Sequence, residues 1–267
     1  MIRIIIAGAA GRMGRRLVAN IAESEDLALA GATERPGSEF LGLDAGAVAG
    51  VRPLGVGITE NFAELLDGAD AVIDFSTGRV IENARLAAAK GLSIVIGTTA
   101  LTAEEKAELR KLGDAGAKIV FASNFSVGVN LLFYLTKLAA QTLGDDFDVE
   151  IIEAHHNQKK DAPSGTAVSL AEVVTGVKGW DYDSDVRHGR VGNVGARTRR
   201  EIGMHAVRGG DIVGDHTVLF AANGERIELT HRASSRDTFA KGALRAVRFL
   251  ADAKGGLYDM RDVLGLK

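Results

Sequence analysis

The sequence "IRIIIAGAAGRMG" occupies residues 2–14 and determines which fold class we predict. Its first half, Ile2–Gly8, is a continuous run rich in β-branched residues, typical of a strand buried in a parallel sheet. Glycines follow at positions 8, 11 and 14, and a helical pattern runs from about Arg12 to Ser24. This order is a spacing variant of the dinucleotide-binding fingerprint, which needs a tight turn and a helix N-terminus directed at a pyrophosphate. The alternative is a tight turn that binds nothing.

Strand and helix patterns then alternate. A capping box at Thr102 and Glu105 marks the start of one of the helices. Alternation of this kind indicates a parallel sheet with helices on both faces. We therefore predict an α/β fold that begins with a doubly wound Rossmann-type domain over residues 1–126, completed by an amphipathic helix within 236–267. The further strands predicted for this sheet are Leu27–Glu34, Asp70–Ser76, Ser93–Thr99 and Lys118–Asn124.

The expected cofactor is NADH, NADPH or both. Glu34 lies 20 residues beyond Gly14, where a carboxylate accepts hydrogen bonds from the adenosine ribose. Arg35 can pair instead with the 2′-phosphate of NADPH. The alternative for both is a charged, solvated loop. The ends of two further strands should line the nicotinamide pocket. The predicted cofactor-binding residues are Gly8, Ala9, Ala10, Gly11, Arg12, Met13, Glu34, Arg35, Gly97, Thr98, Thr99, Ala122, Ser123, Asn124 and Phe125.

The second part of the chain has a different pattern. After an apolar helix over Val129–Leu143, the strict alternation stops. The Asn223-Gly224 pair between two apolar stretches predicts a hairpin with a type I′ turn, and residues 179–195 are predicted to form a long loop. We therefore expect an α+β domain over residues 127–235 with a mixed or antiparallel sheet.

The stretch "HHNQKKDAPSGT", His155–Thr166, follows a predicted strand over Asp146–Ala154 and precedes a helix. Lys159 and Lys160 concentrate positive charge there. Pro163 favours the first turn of a helix, whose N–H groups bind anions. This combination predicts a site for a small dicarboxylate. The alternative is a solvent-facing basic loop beside a capped helix.

Either of two side chains of this stretch can supply a proton as a hydride reaches a conjugated imine. They are the predicted catalytic residues, His155 and Lys159, and which of the two gives the proton stays open. The residues predicted to bind the substrate are His156, Ser164, Gly165 and Thr166.

Composition excludes several classes of function. The 32 basic and 35 acidic residues leave a net charge of −3, so no global field attracts nucleic acid or membranes. With 0 Cys there is no thiol nucleophile, disulfide or cysteine metal site. His205, His216 and His231 are scattered along the chain, and we predict no metal site. Neither a signal peptide nor a membrane-spanning run is recognisable, so a cytoplasmic protein is expected.

The sequence resembles the dihydrodipicolinate reductase family nearly from end to end. The similar motifs are "GRMG", Glu34–Ser38, "IGTT", "NFSVGVN", "EAHHNQKKDAPSGTA" and "RGGDIVGDHTV". The resemblance implies NAD(P)H-dependent conversion of (2S,4S)-4-hydroxy-2,3,4,5-tetrahydrodipicolinate to 2,3,4,5-tetrahydrodipicolinate on the diaminopimelate route to lysine. It also implies a homotetramer built through the sheet of the second domain. Two positions depart from the common pattern: Ser123 replaces an alanine, and Lys160 replaces a residue that is frequently apolar.

The resemblance also implies roles for individual residues. His155 corresponds to an acid/base and Lys159 to a proton donor, whereas His156, Gly165 and Thr166 correspond to residues that hold the substrate carboxylates. Two other functions stay open. One is a different two-domain NAD(P)-dependent dehydrogenase of amino or keto acids, against which the double histidine argues. The other is a non-catalytic NADPH-sensing protein, which would need the glycine turn but not Lys159.

Overall fold

The computed structural model describes residues 1–99 and 101–266, and the chain divides into two units. The first unit comprises Met1–Val127 and the segment that begins at Arg236, and the second comprises Gly128–Ser235. The strands are β1 (Ile2–Ala7), β2 (Leu27–Thr33), β3 (Ile58–Thr59), β4 (Ala71–Asp74), β5 (Ser93–Ile96), β6 (Lys118–Phe121), β7 (Asp148–His155), β8 (Val186–His188), β9 (Ile202–Arg208), β10 (Gly214–Ala222), β11 (Glu225–Ala233) and β12 (Gly256–Tyr258). The α-helices are α1 (Arg12–Ala22), α2 (Ala45–Ala49), α3 (Val80–Ala89), α4 (Ala103–Asp114), α5 (Val127–Leu143), α6 (Gly165–Lys178), α7 (Tyr182–Asp185), α8 (Asp237–Asp252) and α9 (Met260–Leu264). Short 3₁₀ helices occupy Phe62–Gly68 and Gly144–Asp146.

The sheet of the first unit has the strand order β12-β6-β5-β4-β1-β2-β3, and its pairs are parallel. The chain first adds β2 and β3 on one side of β1 and then returns to add β4, β5 and β6 on the other side. The strand order therefore reverses between β1 and β4. Open parallel sheets bind ligands beyond the carboxyl ends of the strands at such a reversal. The predicted doubly wound Rossmann-type sheet is confirmed.

The apolar run of β1 is buried from both sides, as its composition predicts. Ile4, Ile5 and Ile6 are each 0% exposed. Ile4 and Ile6 belong to a core that includes apolar side chains of α1 and α8. Ile5 belongs to a second core, which includes side chains of α3 and α4. Full burial of such a side chain stabilises the fold by about 1.5–3 kcal/mol, so this strand anchors both layers of helices.

The C-terminal segment adds a helix and a strand to the first unit. Helix α8 packs along α1, and Asp237 at its start accepts a hydrogen bond of 2.6 Å from Nε of Arg16. Strand β12 then pairs in parallel with β6 at the edge of the sheet. The sequence predicts only the helix, because a strand of three residues has too little pattern to recognise.

The second unit contains a mixed sheet in the order β11-β10-β7-β9-β8. Strands β7, β9 and β8 run parallel, whereas β10 is antiparallel to both β7 and β11. Apolar side chains of these strands, such as Val149, Ile151 and Phe220, form a core with Leu170 and Val174 of α6. The predicted α+β arrangement with a mixed sheet is confirmed.

Local predictions met with varied success. The capping box of Thr102 and Glu105 is present at the start of α4. The hairpin at Asn223-Gly224 is also present, but its turn is not type I′. That turn needs a positive φ at both central residues, and here only Gly224 has one, at 94°. Part of the predicted loop over residues 179–195 is regular secondary structure, because it contains α7 and β8.

Within the described residues, no helix has the length and apolar character needed to cross a membrane.

Candidate active site

The glycine turn after β1 has the geometry that its spacing predicts. Gly8 has a φ of 77°, a left-handed conformation that glycine adopts without strain. The N–H groups of Gly8 and Ala9 donate to the Thr33 carbonyl at 2.9 and 3.0 Å. A Cβ at position 14 would lie 2.1 Å from the Gly8 carbonyl oxygen, so only glycine fits there. Gly11 is the N-cap of α1, and no side chain accepts a hydrogen bond from the first N–H groups of the helix.

A cleft of about 470 Å³ opens at the carboxyl ends of the strands of the first unit. Four predicted cofactor residues line it, namely Gly8, Gly11, Glu34 and Arg35. Ten residues not predicted to bind the cofactor complete the lining: Ala7, Thr33, Pro36, Glu60, Phe62, Phe75, Ser76, Thr77, Arg79 and Asn83.

The loop after β4 is the main part of this cleft that the sequence did not predict. Asp74 is 1% exposed, and its carboxylate accepts hydrogen bonds from the N–H and hydroxyl of Ser76, at 2.8 and 2.6 Å, and from the Asn83 amide at 2.9 Å. These bonds hold Ser76 and Thr77 at the mouth of the cleft. Strand β4 itself was predicted from the sequence. Its position beside β1 is the signal that could have identified the loop at its carboxyl end as part of the cleft.

The remaining predicted cofactor residues lie at the same edge of the sheet but do not line the cleft. Ala9 and Ala10 are buried in the turn, and Arg12 and Met13 begin α1. Gly97, Thr98 and Thr99 follow β5, and the Thr98 hydroxyl donates to the Ser76 carbonyl at 2.7 Å. Ala122, Ser123, Asn124 and Phe125 follow β6, where the Phe125 ring lies 5.4 Å from that of Phe75.

A buried carboxylate organises the candidate site of the second unit. The Glu153 side chain on β7 is 0% exposed, and its Oε2 lies 2.6 Å from Nδ1 of His155. Arg208 of β9 donates two hydrogen bonds of 2.8 Å to the two carboxylate oxygens, and the Ser164 N–H donates a third at 3.0 Å. Burial raises the pKa of Glu153, but the hydrogen bonds from Arg208 and His155 outweigh it and hold the pKa below its ordinary value.

His216 lies beside His155, contrary to the prediction that it is one of several scattered histidines. Strand β10 pairs with β7 so that His216 is opposite Glu153, and the rings of His155 and His216 are 5.2 Å apart. Nε2 of His216 is 2.8 Å from the Ser164 hydroxyl. Burial, with the charge of His155 as the next contribution, lowers the pKa of His216 to about 4, so this ring is neutral at pH 7.

The start of α6 differs in detail from the predicted anion site. The helix begins at Gly165, with Ser164 as its cap. Pro163 therefore precedes the cap and is not in the first turn. The Ser164 N–H is occupied by Glu153, so it is not available to an anion. At the helix start, Gly165 is exposed and Thr166 is half-buried.

The two predicted lysines have different surroundings. Nζ of Lys159 is 2.6 Å from the Asp161 carboxylate, and this hydrogen bond lowers the pKa of Asp161. Lys160 is exposed. His156 is half-buried, and its carbonyl accepts the Lys159 N–H at 3.1 Å in a tight turn. The described residues contain no group of three His, Cys, Asp or Glu side chains that could hold a metal ion.

Two family models together cover nearly the whole chain. The model "Dihydrodipicolinate reductase, N-terminus" matches residues 2–125, and "Dihydrodipicolinate reductase, C-terminus" matches residues 128–264. The chain belongs to the dihydrodipicolinate reductase family. The resemblance seen in the sequence is therefore confirmed.

Relatives and a solved structure agree with this assignment. A 4-hydroxy-tetrahydrodipicolinate reductase of Anaeromyxobacter sp. is 51% identical over 268 residues, covering 100% of this chain and 99% of the relative. One from Syntrophotalea carbinolica is 52% identical and covers 100% of both chains. The structure of dipicolinate-bound dihydrodipicolinate reductase from Paenisporosarcina sp. TG-14 superimposes with a TM-score of 0.79 at 27% identity, covering 98% of both chains.

Proposed function

We propose that this protein is a 4-hydroxy-tetrahydrodipicolinate reductase. Identity of about half over the full chain to reductases of that name is the observation that carries the proposal. In the reaction, the hydroxylated cyclic precursor loses water, and the resulting conjugated imine takes up a hydride and a proton. The products are tetrahydrodipicolinate, water and the oxidised nicotinamide. The step belongs to the diaminopimelate route to lysine.

The first unit is the proposed nucleotide-binding domain. The glycine turn, the N-terminus of α1 with its glycine cap, and the cleft beside Glu34 and Arg35 fit a dinucleotide with its pyrophosphate at the helix. A nicotinamide cofactor supplies the hydride when bound. Glu34 would accept hydrogen bonds from the adenosine ribose, and Arg35 would pair with a 2′-phosphate. The presence of both supports use of NADH and NADPH.

The second unit is the proposed substrate-binding and oligomerisation domain. Its candidate site combines a histidine held by a carboxylate, a lysine and the start of a helix. The dipicolinate of the Paenisporosarcina structure is a planar dicarboxylate, the chemistry that we expect here. His156, Ser164, Gly165 and Thr166 would hold the carboxylates, and His155 or Lys159 would supply the proton. We further propose that the enzyme is cytoplasmic and, as the sequence resemblance implies, a homotetramer.

The test is an assay of NADH and NADPH oxidation with and without the enzymatically generated precursor. Oxidation should depend on the precursor, and amino or keto acids should not replace it. Oxidation driven by such acids would favour a different dehydrogenase. Tight nucleotide binding with no turnover on any of these compounds would favour a sensing protein.

A further inference from the structure

We infer that Glu153 is a positioning residue that keeps the proton of the neutral His155 ring on Nδ1 and leaves Nε2 as the atom that exchanges protons. The inference rests on the proposed function, because it concerns how His155 would serve that reaction. Glu153 is fully buried and would not itself touch the substrate.

The short contact between the two side chains fixes the proton. An ionised carboxylate only accepts hydrogen bonds, so Nδ1 of His155, 2.6 Å from Oε2, must be the donor. Nε2 then carries the lone pair in the neutral ring and a second N–H in the protonated ring. Among the described residues, no protein group hydrogen-bonds this nitrogen. A Cβ at Gly214 would lie 3.1 Å from it, so the glycine keeps this side of the ring uncrowded.

Three other donors hold the Glu153 carboxylate in its charged form and in one orientation. Nη1 and Nη2 of the Arg208 guanidinium and the Ser164 N–H donate to it. Arg208 also donates to the Asp161 carbonyl at 2.7 Å, which ties β9 to the loop that carries Lys159. The buried Glu153 carboxylate therefore orients His155 and also anchors the start of α6.

The charges around the two histidines come from several elements. The pKa of His216 on β10 is affected by the charges of His155, Glu153, His231 and Lys159. The Asp161 carboxylate forms an ion pair with Lys159. Among the residues that the structure describes, Glu153 alone contacts Nδ1 of His155 directly. Replacement of this carboxylate therefore removes the one charge that contacts the ring and the acceptor that keeps the proton on Nδ1.

The main test is the pH dependence of turnover in Glu153→Gln. The pH profile of kcat should be displaced relative to that of the wild type, because the charge next to the proposed acid/base is lost. At neutral pH, kcat should fall about 10- to 100-fold, the scale seen when carboxylate partners of metal-bound histidines are removed. KM should change little, because no substrate contact is lost.

Glu150→Gln is the matched control. Glu150 lies on the same strand, three residues earlier, and therefore on the opposite face of the sheet. It likewise accepts from a histidine, His205 at 2.7 Å, and from two arginines. Its replacement breaks an equivalent ion-pair network and should leave the pH profile of kcat unchanged. Equal displacement of the profile in both variants would overturn the inference.

Two further measurements test the inference if the Glu153→Gln variant does not fold. Glu153→Asp keeps the charge, so its pH profile should stay near that of the wild type even if kcat falls. Imidazole ¹⁵N chemical shifts of the wild-type enzyme, assigned with His155→Asn, should show a neutral His155 protonated on Nδ1. A ring protonated on Nε2 would overturn the inference. This readout needs no substrate, so it stays informative even if the wild type shows no precursor-dependent turnover and the proposed function fails.

Discussion

Each of the proposed catalytic side chains is hydrogen-bonded to a carboxylate. His155 is paired with a buried carboxylate and Lys159 with an exposed one. A buried pair is screened much less by solvent and salt than an exposed pair. The orientation of His155 is therefore set by the fold, whereas Lys159 can exchange Asp161 for a substrate carboxylate at little cost.

Substitution of the two proposed proton donors should reduce turnover without loss of the fold. We expect His155→Ala and Lys159→Ala each to lower kcat by roughly 10²–10⁴, the usual contribution of a positioned acid. Nucleotide affinity should be retained, because the glycine turn belongs to the first unit. His156→Ala should mainly raise KM, as expected for a residue that binds ground state and transition state equally.

Steady-state kinetics with the cyclic precursor, a nucleotide titration and a thermal melt of each variant measure these effects. Lys106→Ala is the control, because this lysine is exposed on α4 of the first unit and has no part in the candidate site. Near-wild-type kcat in both His155→Ala and Lys159→Ala would mean that the cluster only binds anions and that water supplies the proton.

The choice between the two nucleotides should depend on Arg35. Arg35→Ala should raise KM for NADPH about tenfold or more and leave KM for NADH nearly unchanged, since a charge-assisted hydrogen bond contributes about 1.5–3 kcal/mol and only NADPH carries the 2′-phosphate. Arg52→Ala removes the same charge from an exposed position outside the cleft lining and serves as the control. Equal effects on both nucleotides would rule out the role of Arg35.

The buried ring of His216 should make stability fall in mild acid. Its folded-state pKa is about 4, against an ordinary 6.5. Above pH 6.5 both folded and unfolded states hold the neutral ring. Between about pH 6.5 and 4 only the unfolded state gains the proton, which favours unfolding by roughly 2 kcal/mol at pH 5.

Replacement of His216 by glutamine removes this titration but keeps an N–H near Ser164. The wild type should lose about 2 kcal/mol more stability than His216→Gln between pH 7.5 and pH 5, measured by urea unfolding. His188→Gln, at an exposed histidine, should behave like the wild type. If His216→Gln also followed the wild-type curve, the ring would not be held neutral by the fold.

At the scale of elements, the segment 189–200 is fastened to the second sheet by arginines. Arg190 and Arg197 both donate to Glu150, at 2.7 and 3.0 Å. Glu150 can lie across β9 only because position 203 is glycine, since a Cβ there would be 1.7 Å from Oε2. Burial raises the pKa of Glu150, but the arginines and His205 outweigh it and lower the pKa to about 2.

Gly203→Ala should therefore release this segment. We expect a loss of about 1–3 kcal/mol, as for overpacking of a tight site, and faster tryptic cleavage within residues 189–200 than in the wild type. Gly176→Ala, where a Cβ meets nothing within 4 Å, is the control and should not increase cleavage. Unchanged cleavage in Gly203→Ala would show that the arginines hold the segment without Glu150.

The sequence predicts the larger elements well because their patterns are local. Each predicted strand of the first sheet is present, but several end earlier than predicted. The strand predicted to reach Ser76 ends at Asp74, because the Asp74 carboxylate takes the Ser76 N–H and turns the chain away. Strand β8 was missed because it forms only by pairing with β9, which no local pattern reveals.

The candidate site was predicted in part for the same reason. The residues of "HHNQKKDAPSGT" are contiguous in sequence, and their chemistry is visible there. His216 and Arg208 are more than fifty residues away from His155 and reach it only through the register of β10 and β9 against β7. Glu153 is visible on the predicted strand, but its burial and its four donors are not.

At the scale of the whole molecule, the proposed homotetramer is directly measurable. Light scattering combined with size-exclusion chromatography should give a mass of four times the 28.0 kDa of one chain. The mass should not change when NADPH is added, because the nucleotide site lies in the first unit and the proposed contacts lie in the second. A mass of 28.0 kDa at the working enzyme concentration would show that the second sheet does not assemble copies of the chain.

The first unit is completed by residues that are synthesised after the whole of the second unit. Helix α8 covers the face of the sheet that contains Ile4 and Ile6, and β12 closes its edge, yet both follow the 108 residues of Gly128–Ser235. At a synthesis rate of about 5–20 residues per second, roughly 5–20 s pass between the synthesis of the first part of this sheet and that of α8 and β12. The second unit, built from one continuous stretch, can fold meanwhile. The first unit is therefore completed after the second although β1 is made before it, and its uncovered apolar face is the surface that a ribosome-bound chaperone would meet.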